Sequence, residues 1–221
     1  MVQSKGWQWE LLKEDEKEQW RNPAWESYYL VNRWKGQGKR VFLDLGCGLG
    51  RHSILFGKNG FQVNCFDISE LAVNATREWA GTEGLSFRYA VGDMLALPYA
   101  DDSIDCIMCR NVISHTDTEG VRKTIAEIRR VLRLEGECFL TIPSKETWGF
   151  KQEDRPALDE NTRICTEPGT EYGVQHFYAD YEQLADFFSG FSMESVSHVQ
   201  TFNEYAGKPG SSWHYHILIR K

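Results

Sequence analysis

Val41-Phe42-Leu43-Asp44-Leu45 runs directly into Gly46-Cys47-Gly48-Leu49-Gly50, and this junction restricts the possible folds more than any other stretch. An apolar run of this length that carries an acid and opens into alternating glycines reads as a buried strand turning sharply into a helix. Glycines permit positive φ and remove the Cβ atoms that would strike an approaching group, while the helix that follows leaves unsatisfied amides at its N-terminus. Two readings fit: a tight strand-to-helix turn with no further duty, or a cradle where backbone closely approaches an anionic ligand.

The rest of the chain repeats the strand-then-helix alternation. Arg40–Leu45, Phe61–Phe66, Ser86–Val91, Ile104–Cys109 and Cys138–Ile142 read as strands, with helices expected after Arg51, Glu70 and Thr118. Ser69 and Thr118 stand where N-caps belong, and Glu70 adds a favourable first-turn charge. Right-handed crossovers between such strands build a parallel sheet covered on both faces, with ligands bound at the strand carboxyl ends near the point where strand order reverses. The end of the chain differs: a helix over Tyr181–Ser189, a strand near Phe191–Val199, a turn containing Gly207-Lys208-Pro209-Gly210, and an alternating run Trp213–Arg220 predict an antiparallel hairpin. The expected organisation is one domain over 1–221, with an N-terminal helical cap (1–39), a cofactor-binding core (40–142), a polar substrate-side insertion (143–176) and a C-terminal helix with hairpin (177–221).

Composition narrows the function. The net charge is −7, from 25 basic against 32 acidic residues, which disfavours polymeric nucleic acid as a partner although Lys35, Lys39, Arg40 and Arg129, Arg130, Arg133 cluster locally. No stretch approaches the roughly 18 apolar residues of a membrane span, no secretory hydrophobic region stands at the N-terminus, and a cytoplasmic location is expected. Six cysteines, mostly inside apolar runs, read as reduced thiols. Cys106 and Cys109 lie three apart in an expected strand, so they point to opposite faces and make no zinc pair.

Asp67 closes the second strand, near the roughly 20-residue spacing at which an acid accepts hydrogen bonds from ribose hydroxyls. An adenosine-bearing ligand follows. The dinucleotide fingerprint GxGxxG fails, because its last glycine would fall on Arg51 or Ser53. Asp44 would sit awkwardly beside a pyrophosphate but suits the ammonium of an amino acid, directly or through water. Adenosine joined to an amino acid describes S-adenosylmethionine.

With those residues in order, residues 40–142 resemble the class I S-adenosylmethionine-dependent methyltransferases, particularly the branch similar to ubiquinone and menaquinone biosynthesis enzymes. The resemblance rests on Asp44–Gly50, Asp67, Gly92-Asp93-Met94 with Leu97-Pro98, Asp105–Asn111 and Arg130-Val131-Leu132. It implies an α/β Rossmann-like fold: a seven-stranded, mostly parallel sheet with helices on both faces and a C-terminal antiparallel hairpin. It further implies that Gly46, Gly48 and Gly50 form the turn lining the methionine moiety, Asp67 holds the ribose, and Ile68 packs on adenine. Asp93 and Met94 frame the adenine edge, with turn formation the other role open to Asp93, and Arg110 and Asn111 lie near the transferring methyl. Relatives often carry Pro-Gly-Gly where this chain has Leu134-Glu135-Gly136, expected as a surface turn.

Methyl transfer from a sulfonium to a small-molecule acceptor, leaving S-adenosylhomocysteine, requires alignment rather than a covalent nucleophile. For a hydroxyl or acidic carbon acceptor a base helps by about 10²–10⁴-fold. His115, shortly after the fourth strand, is the candidate; capping the next helix or facing solvent is its other reading. Tyr172, His176 and Tyr178 are second-rank candidates for the acceptor side. His214 and His216 share a strand face, with His198 across the hairpin, but no third ligand is identifiable and no metal is expected. Trp7, Trp9, Trp20, Trp25, Tyr28, Tyr29 and Trp34 must cover something apolar, either the sheet's helical layer or the cofactor and acceptor as a lid. A protein methyltransferase, a nucleotide-linked oxidoreductase and a cofactor-binding accessory protein without catalysis are the alternatives, and oligomeric state is not readable.

Overall fold

Apolar side chains fall on both sides of the central strands, as burial of both sheet faces demands. In the computed structural model, which describes residues 4–205 and 208–221, the two sides belong to two cores. Strands β1 (Val41–Leu45), β2 (Gln62–Asp67), β3 (Arg88–Val91), β4 (Ile104–Cys109) and β5 (Leu132–Pro143) alternate with helices. Leu43, Ile107 and Leu140 share one core with Ile125 and Ile128. Phe42, Met108 and Phe139 share the other with Leu30, Trp34 and Phe56. The helices supplying those partners are α2 (Trp25–Gly36), α3 (Arg51–Lys58) and α5 (Thr118–Val131), while α1 (Glu14–Gln19), α4 (Glu70–Thr82) and α6 (Tyr181–Phe187) complete the set. Cys106 and Cys109 fall into opposite cores as free thiols, in agreement with their spacing.

The sheet order is β3-β2-β1-β4-β5-β9-β8, where β8 is Ser192–Tyr205 and β9 is Lys208–Arg220. β1 through β5 are parallel, and β9 runs antiparallel to both β5 and β8. This is the expected seven-stranded Rossmann-like sheet, and its order reverses between β1 and β4, which opens a crevice at their carboxyl ends. The segment between β5 and α6 holds a separate antiparallel pair, β6 (Thr162–Ile164) and β7 (Gln175–Phe177). Buried Glu137 locks α2 onto β5: its carboxylate accepts from Arg33 Nε and Nη2, Trp34 Nε1 and Gln37 Nε2 at 2.8–3.0 Å.

Several local expectations change. Ser69 caps α4 by accepting from Ala72 N–H, but the cap of α5 is Asp117, whose side chain accepts from Gly120 N–H, and Thr118 is already helical. Leu134-Glu135-Gly136 is an irregularity within β5 and not a separate turn; Glu135 takes φ 62° there. Lys208-Pro209-Gly210 belongs to β9, while Gly207 of the expected turn lies outside the described residues. His198 pairs with Tyr215, so it faces away from His214 and His216, and the expected juxtaposition across the hairpin does not occur. The N-terminal aromatics split: Trp34 is core, Trp25, Tyr28 and Tyr29 are exposed, and Trp7, Trp9 and Trp20 pack together with ring centroids 4.6–5.6 Å apart.

Candidate active site

The crevice at the ends of β1 and β4 is a cleft with about 810 Å³ of empty space, partly open to solvent. Its walls are the turn 45–49, the end of β2 at 66–68, Gly92 and Met94 after β3, and 110–112 after β4, with His115 at one side and N-terminal residues from Ser4 onward across the mouth.

The turn follows from its glycines. Gly46 has φ 78°, and a Cβ there would collide with the Val112 side chain, so the β1 and β4 loops approach each other only because that atom is missing. Asp67 lines the cleft; one carboxylate oxygen accepts from Gly48 N–H and the other from Ser69 N–H, both at 2.9 Å, which pins the turn to the end of β2. Burial raises its pKa, those backbone bonds opposing the rise. Asp44 is placed differently from expectation: it lies beneath the turn, off the cleft wall, accepting from Ser53 Oγ at 2.6 Å. Gly50 is likewise below the wall, where it precedes α3 and faces Thr76.

At the adenine side, Ile68 and Met94 reach the cleft. Asp93 does not line it: its carboxylate accepts from Ser4 N–H at 3.0 Å, Ser4 Oγ at 2.7 Å and Leu95 N–H at 3.0 Å. Gly6 rests so tightly on Ile68 that a Cβ would collide with it, and Trp9 covers Gly48. The first described residues therefore form a strap across the positions that the sequence assigns to adenine.

At the opposite end, Arg110 and Asn111 line the cleft beside Arg51, which sequence reading had passed over. Asn111 has φ 57°; its amide donates to Thr141 Oγ1, whose hydroxyl donates back to its Oδ1. Arg51 is pulled down to about 10 by burial and by the Arg110 charge. Behind Arg110 stands buried Glu26, 3.6 Å from its Nε and 2.8 Å from His216 Nδ1. Burial pushes the Glu26 carboxyl up, but His216 and Arg110 outweigh it and the net shift is downward. Arg110 Nε is buried and faces Glu26 beyond hydrogen-bond reach, so charge attraction holds this cation at the cleft. Arg51 directly follows the glycine turn at the helix start, a signal available in sequence; Glu26 had none.

His115 lines the cleft, stacks on Trp7 at 6.4 Å and meets His176 edge-on at 5.1 Å. Glu171, which sequence reading also missed, stands 3.8 Å from His176 Nε2. Burial, reinforced by His176, pushes His115 down to about 3, and burial with Arg155 takes His176 to about 4. Both imidazoles are neutral at physiological pH. Tyr178 is buried against Arg155, and Tyr172 is exposed.

Residues 42–136 match the family model described as a methyltransferase domain. A glycine/sarcosine/dimethylglycine N-methyltransferase of Actinopolyspora halophila is 27% identical over 188 residues, covering 79% of this chain and 32% of that protein. Among solved structures, an S-adenosylmethionine-dependent methyltransferase of Methanosarcina mazei is similar with TM-score 0.68 at 18% identity, over 83% of this chain and 93% of that one. A 1,6-didemethyltoxoflavin-N1-methyltransferase of Burkholderia thailandensis, solved with its substrate and S-adenosylhomocysteine, has TM-score 0.62 at 16% identity, over 94% and 82%. The chain spans half or less of the length of the first curated relatives it matches. The fold is that of solved S-adenosylmethionine-dependent methyltransferases, and the stretch 42–136 is similar to the methyltransferase-domain family.

Proposed function

We propose that this chain methylates a small-molecule acceptor, using S-adenosylmethionine bound in the β1–β4 cleft. The observation that carries the reading is convergence: the Gly46–Leu49 turn, the Asp67 carboxylate and the Arg51–Arg110 pair lie on one cleft that continues to His115. The residues fit the cofactor. Asp67 spends one lone pair of each oxygen on backbone amides and keeps others for ribose hydroxyls. The Arg110 guanidinium, with Arg51 and the start of α3 beside it, offers positive charge to the methionine carboxylate. When bound, the cofactor supplies an activated methyl: the bond to carbon forms from the acceptor as the carbon–sulfur pair returns to sulfur.

The chain's own contribution is alignment, worth up to about 7–11 kcal/mol in well-oriented systems. Val112, Trp7, Trp9 and Trp20 wall the cleft, and His115 lines it on the side assigned to the acceptor. An amine acceptor attacks as the free base and loses its proton afterwards. The small-molecule class is supported by the methyl acceptors in the names of the two N-methyltransferases above. Six buried free thiols and the acidic net charge support a cytoplasmic site and a substrate other than nucleic acid; no helix among the described residues is long and apolar enough to cross a membrane.

Titration calorimetry with S-adenosylhomocysteine, run beside NAD, tests the reading. Saturable binding of the former alone is expected, and binding of NAD instead overturns it. His115→Ala is expected to lower turnover on a methylated amine or alcohol pool without weakening S-adenosylhomocysteine binding.

A further inference from the structure

His115 belongs to a second arrangement, with Glu171 and His176, of which methyl transfer by alignment uses His115 alone. His115 comes from the loop after β4, Glu171 from the segment before β7, and His176 from β7 itself. Backbone bonds fix their meeting: Phe177 N–H donates to Ser114 C=O at 2.8 Å, and His176 is held in register with Arg163 of β6. One ligand-type atom from each of the three residues lies within 4.8 Å of the other two. His176 Nε2 is buried without a hydrogen-bond partner and points toward Glu171 Oε2, 3.8 Å away.

We propose that His115, Glu171 and His176 bind a first-row divalent transition-metal ion of the zinc or iron(II) kind. Two imidazoles and one carboxylate are a donor set such ions prefer over magnesium or calcium, and three protein ligands leave coordination positions open. Bonds of about 2.1 Å place ligand atoms about 3.0–3.4 Å apart, so side-chain movements on the order of 1 Å close the site. The unpartnered nitrogen of His176 gains the partner it lacks. The Arg155 guanidinium is already engaged by both oxygens of Glu167 at 2.8 and 3.2 Å.

Because His115 lines the cleft, the open positions face the acceptor side and would take a water or an oxygen of the acceptor. That role toward the acceptor rests on the methyl-transfer reading; binding of the ion does not. The site departs from the expectation of no metal, since only the fold brings Glu171 to the two histidines.

The test uses the full chain, stripped with a chelator and titrated with Zn²⁺ by calorimetry and with Co²⁺ by visible absorption. Glu171→Gln and His176→Gln are run alongside, with S-adenosylhomocysteine binding measured on each as the control for folding. One saturable ion per chain is expected, weakened at least tenfold in either folded variant, with cobalt bands of four- or five-coordinate intensity that the variants lose. Equal affinity in both variants overturns the proposal, and so does a wild-type cobalt spectrum indistinguishable from the free aquo ion. If wild type binds zinc but not S-adenosylhomocysteine, the metal site stands and the methyl-transfer reading falls; the reverse result removes the metal site alone.

Discussion

Asp44 is 1% exposed beneath the glycine turn, and burial raises its pKa to about 6 against the Ser53 hydrogen bond, which lowers it. An unfolded chain releases that proton near pH 4, so between about pH 4 and 6 the folded state binds more protons and stability falls as pH rises. The loss is about 3 kcal/mol, complete above the folded pKa. Asp44→Asn removes it: in urea denaturation at pH 4 and pH 7, the stability difference between wild type and variant is expected to move toward the variant by up to that amount. A constant difference would assign the titration elsewhere. Asp67→Ala tests the cofactor side, with S-adenosylhomocysteine affinity expected to fall by about 1–3 kcal/mol in calorimetry for the lost hydrogen bonds; unchanged affinity in a folded variant rejects the ribose assignment. Both acids are legible in sequence because each closes or nearly closes a strand, where local pattern fixes position. Their reach is not: whether a carboxylate faces the cleft or the helix beneath depends on pleat and crossover, which is why Asp44 was expected at the ligand and lies under it. Glu171 and Glu26 carried no signal, since their partners come from distant strands.

At the scale of elements, apolar runs identify β1, β2, β4 and β5 because these bury both faces, the edge strand β3 being only partly covered, and the glycine turn locates the cleft because only one such junction exists. The N-terminal aromatics were harder to read. Density alone does not separate Trp34, which packs in the core with Phe42 and Phe56, from Trp7 and Trp9, which reach the cleft through a strap that has almost no periodic pattern. That strap spends its Ser4 amide and hydroxyl on Asp93, the acid assigned to the adenine edge, so on the proposed reading strap and adenine compete. Ser4→Pro removes both donors. Each bond contributes about 0.5–1.5 kcal/mol, so S-adenosylhomocysteine affinity is expected to rise several-fold to tenfold or more by calorimetry. A weaker complex would mean that the strap closes over bound cofactor instead of competing with it.

Across the whole molecule, the cleft lies where the two cores meet, because β1 and β4 contribute side chains to both. The antiparallel pair β9–β8 extends the same sheet, and Glu137 of β5 anchors α2, so the strand ends that form the cofactor side of the cleft are tied to one sheet. Unfolding is therefore expected as one cooperative transition in which the site and both cores are lost together. A ligand that binds only the folded state stabilises it by about 2.7 kcal/mol at a hundredfold excess over its Kd. For a chain of this length each kcal/mol corresponds to about 2–4 °C, so S-adenosylhomocysteine at that concentration is expected to raise Tm by roughly 5–10 °C. Scanning calorimetry followed by near-ultraviolet circular dichroism of the eight tryptophans checks both points. If the ligand moved only part of the transition, the C-terminal hairpin or the strap would be melting apart from the sheet, and the coupling of cleft to cores argued from β1 and β4 would fail.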